Sequence, residues 1–121
     1  MATTTETMLA EKFLTLRGYE ILGTGWTCDA GSIDVVAIAP EGELVFAVAE
    51  LGNNRSSGFP EERLDKESRT RMELASALWI ATHNAPEGRV RFDVLSAIML
   101  DAADRRVYVR HHIDAFGAAR A

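Results

Sequence analysis

Two apolar runs, Ile33-Asp34-Val35-Val36-Ala37-Ile38-Ala39 and Leu44-Val45-Phe46-Ala47-Val48-Ala49, stand either side of Pro40-Glu41-Gly42. Both are rich in residues that favour strands, and the proline and glycine between them supply a turn. The pair reads as an antiparallel hairpin. Because it is apolar at nearly every position, it belongs in the middle of a sheet, flanked by the two helices of the chain. A fold built around anything else would leave this hairpin wet.

The other elements group around it. Thr3-Thr4-Thr5-Glu6 fits a capping box with Thr3 as the cap, and Leu9, Phe13 and Leu16 recur at helical spacing before Gly18. This predicts a first helix over residues 4–17. Tyr19 to Leu22 reads as a short strand, and Gly23 to Gly31 as a glycine-punctuated connection containing Trp26 and Cys28. Asn53 to Pro60 is a polar loop. Residues 61–83 hold the longest helical pattern, with Leu64, Met72, Ala75, Leu78 and Thr82 along one side, ended by Asn84-Ala85-Pro86-Glu87-Gly88. Val90, Phe92 and Val94 alternate with Arg89, Arg91 and Asp93 as in a strand, with the apolar set set against Leu78. Asp101 to Asp104 turns the chain, and Val107 and Val109 mark a last strand. The order αβββαββ predicts an α/β or α+β sandwich around a mixed sheet.

At 121 residues, 47% hydrophobic and 26% charged, the chain is sized for a single domain, 1–121. No run approaches the roughly 18 apolar residues of a membrane span, and the cytoplasm is the expected address, with no membrane partner. Cys28 is the only cysteine, which excludes an intrachain disulfide and a thiolate metal cage. The net charge of −5 is uneven: residues 1–50 carry eight acidic and two basic side chains, while the remainder is nearly balanced. Avid nonspecific binding of nucleic acid draws on a basic excess, so the total opposes it and leaves room only for a local basic groove in the second half.

The chemically odd feature is acid within the hairpin. If the turn centres on Glu41, Ile38 faces Leu44, Val36 faces Phe46, Asp34 faces Val48 and Ser32 faces Glu50, all on one face. Asp34 and Glu50 would then cluster at one end. Two carboxylates beside buried strand are costly unless hydrogen-bonded, protonated or bound to metal. The competing reading puts both at the solvated rim.

The succession of Glu6, Gly18-Tyr19, Gly31-Ser32-Ile33-Asp34, Leu44 to Glu50, Lys66, Arg91-Phe92-Asp93-Val94 and His112-Ile113-Asp114-Ala115-Phe116 resembles the YraN-type family of uncharacterised bacterial proteins. The resemblance implies a restriction-endonuclease-like fold and a Mg²⁺-dependent nuclease centre of the PD-(D/E)XK kind acting on DNA. The family pattern has Gly-Glu-Ile-Asp on one strand and Phe-Val-Glu-Val-Lys on the next. Carried over, its metal-binding Asp is Asp34 and its first-helix Glu is Glu6. Its second-strand Glu is replaced by Val48, its Lys by Glu50 and its Gly-Glu glutamate by Ser32, and the basic residue after its Lys falls at Gly52. Val48 offers a metal no oxygen, and Glu50 puts negative charge where phosphate would sit. With Asp34, Glu50 and Glu6 the chain still has carboxylates for one Mg²⁺. Ser32 opposite Glu50 avoids the like-charge pair that a glutamate there would make, which reads as a repair.

Other residues point less strongly to chemistry. His111 and His112 are strand neighbours facing opposite ways, so they read as exposed or cross-paired. Gly23-Thr24-Gly25 lacks the lysine and helix start of a phosphate loop and reads as a turn. Lys66 and Arg69 could touch a phosphate, but with Glu61, Glu62, Asp65, Glu67 and Glu73 nearby they suit a solvated helix face better. Three functions compete: a nuclease-fold protein with a degenerate centre and weak nucleic-acid binding; an active, divergent Mg²⁺-dependent endonuclease using Asp34, Glu50 and Glu6; and an interaction module, such as a homodimer through the sheet edge or Trp26 and Phe59. The first is favoured.

Overall fold

The computed structural model describes residues 4–52, 66–85, 88–101 and 106–116. The chain runs α1 (Thr4–Leu16), β1 (Glu20–Cys28), β2 (Gly31–Ile38), β3 (Leu44–Gly52), α2 (Lys66–Thr82), β4 (Val90–Asp101) and β5 (Arg106–Phe116). The strands form one sheet in the order β1-β2-β3-β4-β5, antiparallel except for the parallel β3–β4 pair that α2 connects. This is the α/β arrangement with the expected element order. Among the described residues, no helix is long and apolar enough to cross a membrane.

The hairpin is built as its sequence requires. Pro40, Glu41 and Gly42 form the loop, with Gly42 N donating to the Ala39 carbonyl at 2.8 Å and Ala39 N donating to the Glu43 carbonyl at 2.8 Å. Gly42 has φ +99°, the left-handed residue that closes a three-residue hairpin loop. Ile38 then pairs with Leu44 and Val36 with Phe46, as the centred turn predicts. β3 is the middle strand of the five.

α1 ends in a Schellman motif: Tyr19 N donates to the Leu14 carbonyl and Gly18 N to the Thr15 carbonyl, with Gly18 at φ +89°. The motif turns the chain so that Tyr19 and Leu14 enter one apolar cluster. That cluster gathers Ala10 and Leu14 of α1 with Val35, Ala37, Val45, Ala47 and Ala49. A second cluster, on the α2 side, gathers Met72, Ala75 and Trp79 with Ile33, Val36, Leu44, Phe46, Phe92 and Val94. Both faces of the central strands are therefore covered, one helix to each.

Several expectations are corrected. Gly23 to Cys28 is not a connection, and Gly23-Thr24-Gly25 is not a turn: the segment continues β1, paired along β2 to Cys28–Gly31. β1 is an edge strand whose exposure varies irregularly and whose register slips between Ile21 and Gly23, so it shows no period to read. Cys28 is accordingly a half-buried strand residue against the α2-side cluster. On α2 the buried side is Met72, Ala75, Ser76 and Trp79, whereas Leu78 and Thr82 are exposed. Phe92 and Val94 therefore pack against Trp79 and its neighbours, not Leu78. The Thr3 cap, the 53–60 loop with Phe59, the helix start at 61–65 with Leu64, Pro86-Glu87 and the turn at 102–104 lie outside the described residues.

Candidate functional site

The hairpin stops being regular where its polar residues begin. Backbone pairing between β2 and β3 extends only to Val35 opposite Ala47. The expected oppositions of Asp34 with Val48 and Ser32 with Glu50 are not part of the ladder. In their place the Asp34 carboxylate takes over a backbone's role: Ala49 N donates to Asp34 Oδ2 at 2.8 Å. Side-chain alternation breaks at the same point, because Ile33 joins the α2-side cluster although Val35 and Ala37 lie on the α1 side. Asp34 is 5% exposed, so it is a buried acid and not a rim residue.

Beyond this point β3 stays with β4, where Val48 pairs with Val94, Ala49 with Leu95 and Glu50 with Ser96. Val48 is partly buried and packs on the α2-side cluster. Glu50 is half-buried. Together with Glu6, Leu9, Ala10 and Phe13 on one face of α1, it lines a small cleft, completed by Ala49, residues 95–97 and Val109. The Ser96 hydroxyl is buried without a hydrogen-bond partner. The structure thus brings Glu6 and Glu50 to one cleft and sets Asp34 against the residue that precedes Glu50.

That donor set does not fit the metal centre the resemblance implies. One oxygen of Asp34 is engaged by a backbone amide, the second-acid position is a partly buried valine packed against the α2-side cluster, and the walls of the cleft are largely apolar. Among the described residues, no three His, Cys, Asp or Glu side chains converge as metal ligands. Lys66 and Arg69 stand exposed at the start of α2 and do not line the cleft.

β4 carries a second polar centre that no local pattern in the sequence marks. Arg91 and Asp93 on β4 are 6% and 0% exposed. Arg91 Nε donates to Asp93 Oδ1 at 2.9 Å and its terminal nitrogens donate to Asp93 Oδ2 at 2.8 Å, Glu43 Oε1 at 3.0 Å and the Tyr19 hydroxyl at 2.6 Å. His111 Nε2 lies 2.7 Å from Asp93 Oδ2, and Asp114 N donates to Asp93 Oδ1 at 2.9 Å. Burial pushes the Asp93 carboxyl up, but the bonds from His111, Arg91 and Asp114 and the charge of Arg91 outweigh it and hold the group below the usual carboxylate range. An acceptor with four donors is an ionised structural anchor. His111 is thus cross-paired, as its neighbourly spacing with His112 allowed. The alternation of Arg91 and Asp93 with Phe92 looks the same in sequence as a half-solvated strand; only the place of β4 inside the sheet distinguishes the two.

The chain matches the model of the uncharacterised protein family UPF0102 over residues 6–97. It is similar to a UPF0102 protein of Roseiflexus castenholzii, 36% identical over 88% of this chain and 84% of the relative. A UPF0102 protein of Pelobacter propionicus is 30% identical over 92% and 79%, and one of Lachnoclostridium phytofermentans 32% identical over 90% and 89%. The chain belongs to the UPF0102 family.

Proposed function

We propose that this UPF0102 member is a nuclease-fold protein whose cleaving centre has degenerated, leaving weak contact with nucleic acid. The observation that carries this reading is Val48. The position that holds the second acid in the resembled pattern is an apolar side chain committed to the α2-side cluster. Phosphodiester cleavage of this kind needs divalent metal because attacking and leaving oxygens both develop negative charge. A valine supplies no ligand for it, and Glu50 adds repulsion where a lysine would stabilise charge.

One observation favours the rival reading of an active, divergent enzyme: Glu6 and Glu50 do line one cleft. The discriminating experiment offers single-stranded, double-stranded and branched DNA to purified protein with Mg²⁺ or Mn²⁺, beside Asp34→Asn. No cleavage above that of the variant is expected, with only weak, salt-sensitive retardation of DNA. Cleavage abolished by Asp34→Asn would establish the active reading instead.

A further inference from the structure

Helix α2 is apolar on two sides. Met72, Ala75 and Trp79 are buried against the sheet. Leu74 and Leu78, and beside them Ala77 and Ala81, stand four residues apart and form a second stripe. Leu74 and Leu78 are 55% and 44% exposed, and both alanines are exposed. A surface helix ordinarily turns polar residues outward. A contiguous outward apolar strip marks a place where something docks.

We infer that this stripe is the contact between two copies of the chain, with their α2 helices antiparallel about a two-fold axis beside Ala77 and Leu78. The stripe is complementary to itself in that arrangement and in no parallel one. Leu74 meets the partner's Ala81, and Leu78 meets the partner's Ala77, so each large side chain falls opposite a small one and the helices can approach closely. Charge agrees. Arg71 lies one turn beyond Leu74, which places it at the carboxyl end of the partner's α2. That end has no basic residue in its last turn, and its terminal carbonyls carry partial negative charge. Arg71 is otherwise engaged with Glu67 at 3.5 Å in an exposed pair, an interaction of little worth in water. A parallel pair would set Leu74 against Leu74 and like helix ends together. This inference concerns the face of α2 alone and stands whether or not the cleft under α1 binds nucleic acid.

Sedimentation equilibrium of the whole chain tests it. The expected species at high micromolar concentration has twice the 13.3 kDa chain mass. Ala77→Glu sets two carboxylates at the axis and should raise the dissociation constant at least about tenfold, and Arg71→Ala should raise it by less. An unchanged circular dichroism melt of dilute protein shows that Ala77→Glu still folds. A second variant needs no disruption: Leu74→Cys with Ala81→Cys, on a Cys28→Ser background. Within one helix these cysteines lie about 10 Å apart along the axis, beyond the roughly 7 Å reach of a disulfide, so a covalent dimer on oxidation reports the contact between copies. A wild type that stays monomeric, a dimer indifferent to Ala77→Glu, or cysteines that fail to cross-link overturn the inference. Dissociation by Ile113→Lys on the edge strand with no effect of Ala77→Glu would move the interface to β5.

Discussion

His111 on the edge strand β5 gives its Nε2 hydrogen to Asp93 Oδ2 at 2.7 Å, and Asp93 has no exposure to solvent. Through Asp93 the bond reaches Arg91, and through Arg91 it reaches Tyr19 after α1 and Glu43 after the hairpin loop. One carboxylate thereby joins the last strand, the central sheet and the end of the first helix. Asp114 sits at φ +56°, a left-handed conformation unfavourable for a residue with a Cβ, and its amide is held by the same carboxylate.

Asp93→Ala should therefore be among the most damaging single changes in the chain. It takes the fully buried carboxylate from beside the Arg91 guanidinium, which keeps Glu43 and Tyr19, a loss of about 3–5 kcal/mol for a buried pair with one member removed. Urea melts of Asp93→Ala and of the double change with Arg91→Met measure it. The double variant should recover part of the loss, since the buried guanidinium is then gone and the carboxylate that loses it, Glu43, is only half-buried. Equal losses in the two would show that packing, not charge, is what Asp93 supplies.

The acid limb of stability should carry the signature of the same group. Asp93 has a lower pKa folded than unfolded, so its contribution is complete above the unfolded carboxylate range and is lost as pH falls toward the folded value. Melts of the wild type should weaken steeply below that range. Asp93→Asn, starting from lower stability, should show a shallower slope over the same interval.

The two faces of α2 make a paired prediction. Phe92 is 6% exposed and packs on Phe46, whose ring in turn stands edge-on to Trp79. Phe92→Ala should cost about 3–5 kcal/mol. Leu78 is 44% exposed, and Leu78→Ala in dilute protein should fall within about 0.5 kcal/mol of wild type. Comparable losses at both positions would contradict the burial of α2 described above.

What could be read from the residues followed the strength of the local signal. The hairpin, both helices and β4 were legible because apolar runs or helical steps mark them over many residues. Only the first half of β1 is legible, because glycines and an irregular, half-wet edge leave no period in the rest. Spacing points Leu78 inward because α2 is apolar on two sides, and it does not tell which side meets the sheet. Within the site, an acid in an apolar run singled out Asp34. The ladder's early end did not follow from the turn, since strict alternation extended through Ser32 and Glu50 would have been equally consistent with the sequence. The Arg91–Asp93–His111 network needs residues 18 positions apart to meet, which no local pattern encodes.

The early end of the ladder also changes what Ser32 and Glu50 should do together. With pairing ended at Val35 and Ala47, a cycle of Ser32→Glu and Glu50→Lys should show a coupling within about 0.3–0.5 kcal/mol, the additive range for separate sites. Denaturant melts of the four proteins read it. A coupling near 1 kcal/mol would restore the view that Ser32 compensates for Glu50.

Asp34 itself should matter first as an acceptor. Ala49 N is buried between β3 and β2 where no backbone carbonyl of β2 pairs with it, and Asp34 Oδ2 stands in at 2.8 Å. Asp34→Ala leaves that amide unsatisfied, which costs about 1–3 kcal/mol. Asp34→Asn keeps a carbonyl oxygen of the same reach and should recover much of the difference, although a neutral acceptor bonds less strongly than a charged one. Amide exchange locates the effect: the Ala49 proton should be protected in the wild type, intermediate in Asp34→Asn and fast in Asp34→Ala, while Phe46 and Val45 at the paired end stay protected in all three. If the alanine variant matched the asparagine variant in both stability and exchange, the carboxylate would not be what holds the two strands together where they part. The stability loss would then have to arise from the other contacts of Asp34.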